Sequence, residues 1–315
     1  MKLINQLTAM VVTSLLALSA HAESISIERD VTANEKIEIV VPAGKAEIRA
    51  NDDNKVIIIG TLDPKADGYD FESENGVTTF VIKQSKSAEY SFNDPGSVLT
   101  ISLPKASILT LSGTSFDLNI SGFNNRTRIN TVSGDLVAKM LQGELKAESV
   151  SGDLSCSECT GKISLTTVSG DIDDQQSSGE LTLQAVSGDI ETDTKATTVK
   201  LEAVSGDINA DIHQAQQITM NVVNGDIEAK VRNGKAPEVT IATVNGDADL
   251  YLPADTSARV SASAVAGGDI NNEISDERAI EEEYGPGSSL TTKLGAGAGK
   301  IEFTSVNGDL TLKKL

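Results

Sequence analysis

Val150-Ser151-Gly152-Asp153-Leu154 is one of five copies of a single phrase, the others opening at Val132, Val168, Val186 and Val204, so that it returns every 18 residues without a break. A period this short is the length of one structural unit stacked on copies of itself, not of a domain in an array. The phrase then loosens into Val223-Asn224-Gly225-Asp226, Val244-Asn245-Gly246-Asp247, Ala266-Gly267-Gly268-Asp269 and Val306-Asn307-Gly308-Asp309, with Asp-to-Asp spacings widening to 19, 21, 22 and 40 residues. A weaker half-repeat follows nine residues after the first three strict copies, at Gly143-Glu144-Leu145, Gly161-Lys162-Ile163 and Gly179-Glu180-Leu181. Each unit therefore reads as two short strands joined by two turns.

Within the unit 150–167, Val150, Leu154, Cys156, Ile163 and Leu165 alternate with Ser155, Ser157, Lys162, Ser164 and Thr166, the period of two that a half-buried strand requires. Laying units over one another puts Leu136, Leu154, Ile172, Ile190 and Ile208 in one column and Leu145, Ile163, Leu181 and Val199 in another. Such columns are the inner wall of an all-β parallel solenoid, a β-helix with coils of about 18 residues and strands ~4.8 Å apart. Residues 23–130 lack the tight repeat but contain strand-like runs at Lys36–Val41, Lys55–Gly60, Thr78–Lys83, Val98–Leu103 and Leu109–Ile120. They read as irregular first coils of a single domain, 23–315, with a turn marked by Asn93-Asp94-Pro95-Gly96. Regular coils then fill 131–270, an inserted acidic loop 271–290 and a last coil 291–315.

Seven prolines, no Trp and 3% aromatic residues suit a narrow aliphatic core better than a globular one. Lys2, the apolar run Leu7–Leu18 and Ala20-His21-Ala22 predict a signal peptide, 1–22, cleaved near Ala22, and a periplasmic or secreted product. No later run reaches the ~18 apolar residues of a membrane span. A formal charge of -20 repels nucleic acid and anionic lipid.

The chain resembles the bacterial extracytoplasmic β-strand-repeat family known for adhesin-like proteins, a domain of unknown function. The resemblance rests on Val41-Pro42-Ala43-Gly44-Lys45-Ala46-Glu47-Ile48, Leu99-Thr100-Ile101-Ser102-Leu103-Pro104, the recurring Val-Ser-Gly-Asp phrase and Gly297-Ala298-Gly299-Lys300-Ile301-Glu302-Phe303. It spans nearly the whole mature chain and implies the solenoid architecture, not a ligand.

Stacking aligns Asp135, Asp153, Asp171, Asp189 and Asp207 on one corner, where carboxylates ~4.8 Å apart repel by roughly 1 kcal/mol even in water. Two arrangements offset this. Each carboxylate accepts N–H groups of its own turn, helped by Ser133, Ser151, Ser169, Ser187 and Ser205, or a row of Ca²⁺ ions lies along the corner. Calcium β-rolls share the 18-residue turn but carry the acidic loop in both halves, whereas here the second half offers Glu144, Lys162, Glu180 and Thr198. No other cofactor is expected.

Cys156 and Cys159 are the only cysteines and candidates for a small disulfide. His213 is the only His of the mature chain, too few for a zinc site or a His-based triad. Gly295-Ala296-Gly297-Ala298-Gly299-Lys300 lacks the Ser/Thr and first Gly of a phosphate loop. The expected function is that of a non-enzymatic exported binding or structural protein of the cell envelope, monomeric, with an envelope protein or glycan as partner. Its ends are expected to be capped by the irregular first strands and by Lys313-Lys314. The alternatives are a calcium-binding β-roll-like protein and a glycan-active β-helix enzyme using Glu281, Glu282 and Glu283 beside Tyr284.

Overall fold

A computed structural model describes residues 23–85, 96–233, 235–283 and 285–315. The signal segment 1–22, residues 93–95 of the expected turn and Tyr284 lie outside the described residues. The architecture is an all-β solenoid in which the described residues form 27 strands, mostly parallel, and no helix among them is long and apolar enough to cross a membrane.

Each regular coil gives one long and one short strand. The long strands β8 (Thr127–Ser133), β10 (Gln142–Ser151), β12 (Thr160–Ser169), β14 (Ser178–Ser187), β16 (Thr198–Ser205), β18 (Gln217–Asn224) and β20 (Glu238–Asn245) stack in parallel on one side. The short strands β9 (Leu136–Lys139), β11 (Leu154–Ser157), β13 (Ile172–Gln175), β15 (Ile190–Thr194), β17 (Ile208–Ile212), β19 (Ile227–Val231) and β21 (Ala248–Leu252) stack on the other. Register follows the repeat: Leu145, Ile163, Leu181 and Val199 are paired neighbours, as are Leu136, Leu154, Ile172, Ile190 and Ile208. All of them are buried, which is what makes one coil a template for the next. The widening of later coils falls in the turn after the short strand, at 213–216 and 232–237.

Val150 departs from expectation. It is 49% exposed, as is Val132, while Ser149 beside it is buried. Strand alternation counted from Leu145 and Ala147 puts Ser149 inward and Val150 outward, whereas Leu154, Cys156, Ile163 and Leu165 are buried as expected.

The N-terminal part is not a set of looser coils in chain order. Its strands are β1 (Ser24–Asp30), β2 (Lys36–Asn51), β3 (Lys55–Thr61), β4 (Ala66–Glu74), β5 (Val77–Gln84), β6 (Ser97–Pro104) and β7 (Ile108–Ser121). β2 runs over both sides like a whole coil, its first half between β5 and β7 and its second between β6 and β7. β3 joins β6 antiparallel and carries β1 as the outer edge, while β4 folds antiparallel onto β5. The edges carry Glu28, Arg29 and Asp30 on β1, and Asp70, Glu72 and Glu74 on β4, charges that discourage pairing with another sheet.

At the other end the chain order is broken. After β22 (Ala258–Ala264) and β23 (Ile270–Asn272), residues 271–290 form more than a solvated loop, because they supply β24 (Ile280–Glu281) and open β25 (Ser288–Leu294), with Ile274 and Ala279 packed on the core. The final strands β26 (Gly299–Asn307) and β27 (Leu310–Lys314) do not close the stack. β26 lies parallel between β20 and β22, and β27 between β21 and β23. Lys313-Lys314 is therefore interior to the stack and not a cap; Lys313 Nζ is 2.7 Å from Asp249 Oδ2 and 5.3 Å from the Tyr251 ring centroid. The cap is antiparallel β25 on β22, with β24 outside it.

Candidate functional site

The Val-Ser-Gly-Asp corner is where the long strand ends and the short one begins, so its Val, Ser and Asp side chains form three lines running along the solenoid beside a row of glycines. The glycine is dictated by crowding: at Gly188, φ is +148° and a Cβ would sit 2.0 Å from the carbonyl oxygen of Gly170 in the preceding coil. Coils thus touch backbone to backbone here.

The aspartates answer their own repulsion differently from the sequence expectation. Asp171 donates its N–H to Asp153 Oδ1 at 2.9 Å, Asp189 to Asp171 at 2.8 Å, and Asp207 to Asp189 at 2.8 Å. Each carboxylate thus accepts from the aspartate of the next coil, not from its own turn with a serine hydroxyl. The ladder starts one coil earlier than the motif, at Asp117, whose Oδ1 accepts from Asp135. It continues through Asp226 and Asp247 to Asp309, and only then to Asp269. Beside it, Asn245 donates to Asn224 Oδ1 at 2.9 Å and Asn307 to Asn245 Oδ1 at 3.0 Å. Both ladders follow the spatial order of coils, which is why 306–309 carries Asn as its neighbours do.

With Oδ1 committed to an N–H, each aspartate has one oxygen left. Among the described residues no group of three His, Cys, Asp or Glu side chains is placed to hold a metal ion. Because backbone N–H groups already offset the carboxylates along the ladder, the melting temperature is expected to be the same in millimolar calcium and in chelator, measured by circular dichroism; a rise of several degrees in calcium would place cations on the ladder.

The outward valines form the second line. Val132, Val150, Val168, Val186, Val204, Val223, Val244, Val306 and Val265 are each 39–59% exposed. Along their inner flank runs a groove of about 580 Å³, walled by valines 186 to 244 on one side and by Thr166, Gln184, Glu202 and Asn221 on the other. Gln184 and Asn221 both donate to the Glu202 carboxylate. Burial acts against ionisation of Glu202, yet Lys200 and these amides outweigh it and hold the group below the usual carboxylate range. This apolar line was legible in the sequence had the phase been set from Leu145.

The remaining candidates separate. Cys156 and Cys159 form a disulfide, both sulfurs buried. The ring is short, so the loop-entropy contribution is about 2 kcal/mol. Reduction is expected to lower the melting temperature by only several degrees, and intact protein to show no titratable thiol in denaturant. His213 Nε2 lies 2.8 Å from Asp193 Oδ1, and Asp211 is held below its ordinary range chiefly by its bond to Arg232. Glu281, Glu282 and Glu283 are exposed at the capped end. Lys162 is in register between Glu144 and Glu180, while Glu144 pairs with Arg126 Nε at 2.8 Å.

Stacked parallel coils, glycine corners in backbone contact and side-chain ladders along the axis define a repeat-built β-solenoid. The model of the Toastrack family, DUF4097, matches residues 30–194 and again 173–313, and the chain belongs to that family. No curated protein matches it. Among solved structures it is similar to a candidate adhesin from Parabacteroides distasonis, at 14% identity and TM-score 0.43 over 94% of this chain and 98% of that one. A candidate lipid binding protein from the same organism matches at 13% identity and TM-score 0.41, over 93% and 96%. A candidate cell adhesion protein from Clostridium sporogenes matches at 15% identity and TM-score 0.22, over 93% and 100%.

Proposed function

We propose that this chain is a non-enzymatic, exported binding protein of the bacterial cell envelope whose working surface is the valine-lined edge. The observation that carries this is the single line of valines, each 39–59% exposed, on a scaffold that buries its other aliphatic columns. Scattered surface valines need no explanation, but a continuous apolar line marks an interaction site. Export is supported by the signal-like residues 1–22 and by the disulfide, which suits an oxidising compartment. The ladders give the edge a rigid, evenly spaced geometry, so a bound partner meets a preformed surface.

The test replaces Val186, Val204 and Val223 with Ser. These side chains point outward, so circular dichroism and melting are expected to stay near wild type. Fluorescence of the neutral dye Nile red bound to the protein, and retention in the envelope fraction, should both fall. Unchanged dye binding and unchanged retention would overturn the proposal.

A further inference from the structure

We infer that the edge takes a basic amphipathic segment of a partner protein, its apolar residues on the valines and its Lys and Arg side chains on the aspartate row. The inference rests on the reading of the edge as a binding surface and adds the chemistry of the occupant.

The valine line and the aspartate row run parallel, three residues apart at each corner and thus within ~10 Å of each other. Both repeat every coil, at ~4.8 Å. The aspartates are exposed, and their bonded Oδ1 atoms fix where the charges stand. Beyond them the outward positions of the short strands add Asp173 and Glu191, widening the acidic border, while Glu228 is paired with Lys230. The five strict corner phrases and the three Asn-Gly-Asp ones contain no Lys or Arg. An apolar strip bordered along its length by carboxylates is complementary to a chain with one apolar face and a cationic flank.

Size and charge exclude the other occupants. A strip ~40 Å long and ~10 Å wide, at about 4.8 Å per coil, offers about 400 Å². That is half of the roughly 800 Å² per partner that a stable pair of globular surfaces buries. A second copy would also bring another net charge of -20. Anionic lipid and nucleic acid are repelled by the same field. A slender segment of about 14 helical residues, ~21 Å long, matches the groove, whose lining from Thr166 to Val244 covers five coils and thus ~19 Å at ~4.8 Å per coil. Across the groove, Thr166, Gln184 and Asn221 present hydroxyl and amide groups to it.

The probe is a synthetic peptide of about 14 residues with leucines on one helical face and lysines on the other, ~21 Å long as a helix. Binding to the full mature chain is followed by fluorescence anisotropy. Two companion peptides carry Glu in place of Lys, or Ser in place of Leu. The leucine–lysine peptide is expected to bind, with both companions weaker by about tenfold or more. Affinity should fall by a similar factor for Val186→Ser/Val204→Ser/Val223→Ser and for Asp171→Asn/Asp189→Asn/Asp207→Asn. The second set keeps the Oδ1 acceptor of the ladder. Equal binding of the leucine–glutamate peptide would overturn the inference while leaving the edge as a binding surface. Equal binding of the leucine–lysine peptide to the valine variant would show attraction to overall charge alone, and would overturn both.

Discussion

Gly188→Ala is expected to destabilise the protein by more than about 4 kcal/mol, beyond the range of an ordinary point substitution. The added Cβ would stand 2.0 Å from the oxygen and 2.6 Å from the carbon of the Gly170 carbonyl, and 3.1 Å from Asp171 Oδ1. None of these is the end of a flexible side chain free to swing away. Relief therefore requires the coils at Gly170 and Gly188 to part, breaking the N–H of Asp189 from Asp171 Oδ1 and the bond from Gly170 N–H to the Ser187 carbonyl. Gly76→Ala is the control. Its φ is +78°, but nothing lies within 4 Å of the new Cβ, so it carries only the backbone penalty of about 1–2 kcal/mol. Urea unfolding followed by circular dichroism separates the two. If Gly188→Ala is no less stable than Gly76→Ala, the corner is looser than its geometry states.

Asp174→Thr should act in the opposite direction. Asp174 is fully buried at an inward position of β13, paired in register with Cys156 on one side and Thr192 on the other. Burial pushes its carboxyl up from 3.8 to about 6, opposed by the Thr192 hydroxyl that donates to Oδ2 at 2.9 Å and reinforced by the nearby charges of Asp173 and Asp193. The folded protein therefore keeps a proton that the unfolded chain releases near 3.8. The stability associated with that proton is fully present below pH 3.8, declines as pH rises through about 6, and is absent above. The difference corresponds to about 3 kcal/mol. Thr is the residue the next coil uses in this column, and it carries no charge to bury. At pH 8 the variant is expected to melt higher by roughly 6–12 °C. Between pH 4 and 6 the gap to wild type should open as pH increases. A variant that melts lower, or a gap that does not change with pH, would contradict the assignment.

The inner columns were legible from the 18-residue repeat because a stack of equal coils makes each position its own neighbour. Leu136 to Ile208, and Leu145 to Val199, needed no knowledge beyond period and alternation. The same locality explains what was hidden. The pairing of β3 with β6 or of β2 with β7 joins segments far apart in sequence, and nothing periodic marks them. Thr114-Ser115-Phe116-Asp117 keeps the Ser and Asp of the phrase but not its Val and Gly, so the first rung of the ladder carries no recognisable motif. The order of the last coils did leave a trace. Val306-Asn307-Gly308-Asp309 matches the phrases at 223 and 244, whereas Val265-Ala266-Gly267-Gly268-Asp269 has one residue more between Val and Asp and has lost the Asn, as a coil at the end of the asparagine ladder can. The valine line was missed through phase alone, and the partner of each aspartate because a turn motif by itself does not say which coil supplies the donor.

The intercalated final coil bears on how the molecule is assembled. From β8 to β21 a coil can settle on its predecessor as soon as it has left the ribosome or the translocation pore, a zipper that needs no later residue. That order stops at β22, which must wait for β26 to fill the slot against β20, with Asp309 reaching back 62 residues to Asp247. Such a long closure is slow relative to the local stacking before it. A chain clipped anywhere before residue 299 would leave β20 and β21 as a bare parallel edge, so the last strands act as a completion lock that only a full-length chain can turn.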